Sequence, residues 1–98
     1  MPDERRVGYL EGLVRELAER GLVARVVRSR SGPAFCRVVN PEAASLSENV
    51  MCAPEPGAAD QPSWLFWWSW GEPLHDVDDP FGAAKKVARV LEAHHGQG

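Results

Sequence analysis

Few groups of residues in this chain have the types that chemistry requires. His75, Asp76, Asp78 and Asp79 lie within five positions and could be drawn as a metal site. Asp79, however, sits directly before Pro80 and an apolar-periodic run, where a carboxylate caps a helix and Pro tolerates the first position. Acids ahead of a helix are usually solvated charge that complements the dipole. His94 and His95 are adjacent, and neighbouring helical residues point about 100° apart, so the pair is ill placed to grip one ion. Cys36 and Cys52 are far apart with no CxxC, which argues against zinc. A Cys–His catalytic pair has no local signature here. Glu72 beside the tryptophans reads as a turn-closing or arginine-pairing acid. No P-loop, Rossmann glycine pattern, GxSxG or HExxH is present. The residues therefore nominate no catalytic, metal or cofactor site, and a non-enzyme is the favoured class.

The elements that position these residues are organised around residues 64–70, Trp-Leu-Phe-Trp-Trp-Ser-Trp, which hold all four tryptophans. Aromatic residues favour a pleated, half-buried surface, which predicts a strand. Alternation then puts Trp64, Phe66, Trp68 and Trp70 on one face and Leu65, Trp67 and Ser69 on the other. Each aromatic can bury roughly 150–250 Å², so the first face demands a cover.

Two helices supply it. Val7, Leu10, Val14 and Leu17 recur at helical spacing in residues 3–20, widened by Leu13 and Ala18, with Asp3 as cap and Gly21 as stop. Gly8 and Gly12, which weaken this helix, are read as points of close packing. Phe81, Ala84, Val87, Ala88 and Leu91 form the apolar face of a second helix after Asp79. Between them, residues 22–29 and 34–40 read as a hairpin. Residues 41–47 read as a connection with a helical turn, 48–53 as a third strand, 54–63 as an exposed linker and 74–79 as a polar connector. The expectation is a single α+β domain over residues 1–98, a two-layer sandwich of order α-β-β-β-β-α. Its four-stranded antiparallel sheet carries both helices on one face.

Composition narrows the class. A chain of 98 residues holds one core, and a net charge of −3 argues against direct nucleic-acid binding. No signal peptide or spanning segment is legible, so a cytoplasmic protein with no membrane partner is expected. Arg outnumbers Lys and Ala and Gly are common, as in GC-rich bacterial genomes. Cys36 and Cys52 are expected as reduced thiols. Pairing Asn40 opposite Glu48 would set Val38 against Val50 and Cys36 against Cys52 on the covered face. There the thiols act as small buried hydrophobes, with a redox-switched disulfide as the alternative.

In a sheet covered on one side, the free face should alternate toward polar. The Arg25 and Arg37 sides of the first two strands are the natural outer faces. Yet Leu65, Trp67, Phe35, Val39, Val23 and Val27 share that side, making an apolar patch edged by Arg25 and Arg37. Such patches mark interfaces, and Trp and Arg are enriched at binding hot spots. The alternative is that the sheet curls over the patch, or that Trp67 lies flat under an arginine. The interaction surface is therefore assigned to Trp67, Leu65, Phe35, Val39, Arg25 and Arg37. The partner is another protein or a second copy, the homodimer being simplest. A small-ligand binder or enzyme, with a pocket between the Trp strand and the helices lined by Trp68, Trp70 and His75, is the alternative function.

The runs RGLVARVV, FCRVVNPEAASLSENVMC, WLFWWSWGEPL and AAKKVARVLEAHH resemble a group of short, largely uncharacterised actinobacterial proteins typically encoded near helix-turn-helix regulators. The likeness covers most of the chain and is most specific in VVNP, VMC and FWWSWGEP. It implies an accessory or regulatory role and transfers no catalytic residue. The element order also resembles that of compact secretion-system chaperones, as an analogy of fold alone.

Overall fold

A computed structural model describes residues 2–56 and 63–92, without the side chains of residues 2 and 3. Most of the 54–63 linker, His94, His95 and the C-terminal tail lie outside the described residues. The elements run α1 (Pro2–Glu19), β1 (Val23–Val27), β2 (Phe35–Asn40), β3 (Ala43–Pro54), β4 (Trp64–Trp68), β5 (Pro73–Asp76) and α2 (Pro80–Leu91). The sheet is an antiparallel meander in the order β1-β2-β3-β4-β5. The α+β class and the antiparallel sheet stand as expected, but the described residues form five strands, not four.

The fifth strand is the segment read as a polar connector. Its Pro73 opens an edge strand, where a missing N–H costs no ladder bond. Leu74 buries its side chain, and Leu65 opposes Asp76 and Phe66 opposes His75. A register shift between Phe66 and Trp67 breaks the alternation there, which is why period-2 counting overlooks it. The second correction concerns residues 41–47, which form no helical turn. Asn40 Oδ1 accepts the Glu42 backbone N–H at 2.9 Å, closing a tight Asx turn that sends the chain back from residue 43. Ala and Ser are weak strand formers, but pairing with β2 overrides propensity.

That turn also corrects the register. Cys36 opposes Val50 and Val38 opposes Glu48, two residues from the expected pairing. An even shift preserves faces, so both cysteines still point toward the helices. Diagonal positions on neighbouring strands stand roughly 7–8 Å apart, beyond the usual disulfide span. Both cysteines are free and buried.

One core joins the layers. Val7, Leu10, Leu13 and Leu17 of α1 and Ala83, Ala84, Val87 and Leu91 of α2 meet Cys36, Val38, Val50, Cys52 and Phe66 of the sheet. Both helices therefore cover the same face. Ala18 is exposed, and Leu13 rather than Val14 lies deepest on the α1 stripe. Phe81 is 56% exposed, not on the buried face of α2, with the Arg20 guanidinium 5.0 Å from its ring centre. Trp70 leaves the strand into a turn and is 53% exposed, so the covered aromatic face is Trp64, Phe66 and Trp68.

The helix ends follow local chemistry. α1 begins at Pro2, so Asp3 is inside the helix rather than its cap. At its other end Gly21 takes φ +82°, Gly21 N–H donates to Ala18 and Leu22 N–H to Leu17. That is a Schellman closure, with buried Leu22 folded back on Leu17. Asp79 caps α2 by accepting the Gly82 N–H at 3.1 Å. Buried Asn40 donates to the Leu91 carbonyl at 2.7 Å, tying the end of β2 to the last turn of α2.

The glycines separate into two kinds. A Cβ at Gly8 would meet nothing within 4 Å, and at Gly12 only the tip of Arg15, so neither marks close packing. A Cβ at Gly82 would collide with Asp79 Oδ2 and His75 Nε2. Gly8→Ala should therefore stabilise the protein by about 1 kcal/mol. Gly82→Ala, the same exchange in the other helix, should destabilise it by disrupting the cap. Chemical denaturation of the two variants checks both signs.

Candidate functional site: the uncovered face of the sheet

Pairing determines what the helix-free face presents. Val27 opposes Phe35 and Met51 opposes Trp67. Because Cys36 opposes Val50, Phe35 stands level with Met51. Val27, Phe35, Met51 and Trp67 thus form a band across four strands, every member half-buried. Leu65 extends it along β4 beside Ala53. Trp67 is held along the sheet by its indole N–H, which donates to the Ala53 carbonyl at 3.1 Å. Among the described residues no arginine covers it; the arginines over a tryptophan ring are Arg5 and Arg6, 5.7 and 5.5 Å from the centre of Trp64.

Arg25 and Arg37 are directly opposed and exposed, and Arg37 Nη1 donates to Asn49 Oδ1 at 3.2 Å. This basic row does not edge the patch. It runs through it, separating the Phe35–Trp67 band from Val39 and its partner Val23, which is 57% exposed. The structure therefore brings Trp67, Leu65 and Phe35 together with Met51 and Val27, and places Val39 beyond the arginines. Met51 was not singled out in the sequence, although alternation along β3 puts it on this face.

The chemistry-bearing residues are engaged elsewhere. His75 Nε2 lies 2.8 Å from Asp79 Oδ2, and Asp78 N–H donates to Asp76 Oδ1. Among the described residues no group of three or more His, Cys, Asp or Glu is placed to hold a metal ion. Trp68 and Trp70 stack on each other with ring centres 4.9 Å apart, and Trp70 Nε1 donates to Glu72 Oε1. The Glu72 carbonyl also accepts the Trp68 N–H, so Glu72 closes this turn. The three residues assigned to the alternative pocket are thus occupied in local contacts, while Phe66 fills the space between sheet and helices.

Two titrations follow from these contacts. The His75 hydrogen bond first, and the Gly82 N–H second, hold the Asp79 carboxyl below its ordinary 3.8. A carboxyl depressed on folding stabilises the protein above its unfolded value, and that contribution disappears as pH falls through the folded one. Thermal stability should therefore fall below about pH 4, and Asp79→Asn should flatten that limb of the pH profile. Burial pushes the Cys36 and Cys52 thiols up to about 12, with the Arg6 charge partly opposing it at Cys52. Thiols held protonated are poor nucleophiles. Neither should react with a disulfide reagent at pH 8 in the native protein, and both should react at once in denaturant. Rapid native labelling would contradict this burial.

No family model, curated protein or solved structure matches this chain. No helix among the described residues is long and apolar enough to cross a membrane.

Proposed function

We propose that this chain is a non-enzymatic interaction module that docks on another protein through the uncovered sheet face. The simplest partner is a second copy. The observation supporting this reading is the band Val27–Phe35–Met51–Trp67, four half-buried apolar side chains in cross-strand register with neither helix over them. An aromatic held flat beside a methionine and an aliphatic edge offers area at small entropic cost, and exposed arginines beside it add specificity. The local engagement of His75, Trp68 and Trp70 gives the pocket reading less support. The resemblance to proteins encoded near helix-turn-helix regulators makes such a regulator the other partner class to test.

Light scattering over a concentration series tests the self-associating form, with Leu65→Lys as the variant that places a charge in the band. A concentration-dependent dimer lost in Leu65→Lys supports the homodimer. If the chain is monomeric throughout, capture from the native host with immobilised wild type and Leu65→Lys decides the accessory form. Capture that is unaffected by the lysine overturns the assignment of this face.

A further inference from the structure

A second surface lies at the edge of the sheet. Among the described residues β1 pairs only with β2, so its outer side presents unpaired backbone N–H and C=O groups. Beside that edge an open groove of about 620 Å³ runs between α1 and β1. Val14, Ala24 and Val26, all half-buried, give it an apolar floor, and the exposed Arg15, Arg25 and Arg28 give it positive charge. Glu11 is the single acid lining it. No ion pair to these three arginines is found among the described residues. Arg25 also stands opposite Arg37, a like-charge cross-strand pair that is unfavourable without a counter-anion.

We propose that this edge takes an acidic, extended segment of a partner protein as a sixth strand. Main-chain hydrogen bonds to β1 supply the pairing, an aliphatic side chain on the helix side rests on Val14 and Val26, and a carboxylate on the open side meets Arg25, with Arg15 and Arg28 adding positive charge around the groove. The charges choose this occupant over a second copy. Antiparallel pairing of two β1 strands centred on Arg25 would set Arg25 against Arg25 and add to the existing repulsion with Arg37, the kind of charge that protects an edge from self-pairing. A carboxylate-bearing strand relieves the same repulsion. The edge meets the band at Val27 and shares Arg25 with it, but its pairing groups are the β1 backbone, so it does not rest on the docking role given to Trp67.

The test uses the full chain, isotopically labelled, titrated with two blocked heptapeptides of alternating Glu/Val and alternating Lys/Val. The Glu/Val peptide should shift the amide resonances of Val23–Val27 and slow their hydrogen exchange. Its affinity should weaken as salt rises from about 50 to about 300 mM, and fall about tenfold or more in the surface variant R15E/R25E. The Lys/Val peptide should not bind, and Trp67→Ala should bind the Glu/Val peptide as wild type does. The proposal is overturned if β1 is unmoved at millimolar Glu/Val peptide, or if both peptides bind alike. It is equally overturned if the shifts fall on Phe35, Met51 and Trp67, or if β1 amides become protected on raising protein concentration alone, which would make a second copy the occupant.

Discussion

Phe66→Ala should destabilise this protein by about 3–5 kcal/mol, the largest effect of any single truncation in the sheet. Phe66 is fully buried, the bulkiest such side chain among the described residues. It stands opposite Cys52 on β3 and His75 on β5, beneath the helices. Removing the ring forfeits its transfer from water and leaves a cavity that two helices and three strands cannot close without moving together. A domain of this size has about 5–15 kcal/mol in all, so the variant gives up a large share of its stability and its unfolding midpoint should fall steeply. Urea titration followed by far-UV circular dichroism measures it. A loss under about 1 kcal/mol would mean that the ring is not the centre of the core.

Trp67→Ala, one position along the same strand, should behave in the opposite way. Its side chain is on the other face, half-exposed, with one hydrogen bond to the Ala53 carbonyl. Losing that bond and part of an aromatic contact with Met51 should cost about 1–2 kcal/mol and leave a cooperative fold. Under the proposed function, association should weaken far more. A central aromatic hot spot contributes about 2 kcal/mol or more, which is a factor of about 30 in Kd. Sedimentation equilibrium or a pull-down on the folded variant reads it. If Trp67→Ala unfolds as Phe66→Ala does, Trp67 is core and the interaction reading fails. If it folds and binds as wild type does, the band is not the contact. Since the two substitutions are adjacent, each serves as the control for the other.

The helices were legible because their apolar residues repeat at the helical period over three turns or more. Val7, Leu10 and Leu17 are where spacing places them, and Asp79 and Pro80 open α2 as their types require. The buried side of β4 was legible for the same reason at period 2, up to the point where the chain turns. Trp70 departs because the chain turns over Trp68–Gly71, where the Gly71 N–H donates to the Trp68 carbonyl and Gly71 takes φ +91°, a change that alternation does not register. β5 and the first half of β3 were hidden for a related reason. Their residues have weak strand preference, and only a paired neighbour makes them extended.

The candidate surface divides similarly. Membership of the face follows from parity, which is why Phe35, Leu65 and Trp67 meet there. Arrangement within the face depends on register, and register depends on one hydrogen bond at Asn40 and on the bulge beside it. Those two features place Met51 beside Phe35 in the band, whereas the arginine row follows from Arg37 lying between Phe35 and Val39 and from its pairing with Arg25.

By itself, then, the sequence determined which residues share a side of each strand and which stripe of each helix is apolar, because backbone geometry carries those periods locally. Tertiary structure decided which strands exist and which rows line up, because strand pairing joins residues distant along the chain. It also decided that Gly82 serves a cap while Gly8 serves no contact, since the space around a Cβ belongs to neighbours that local sequence does not name.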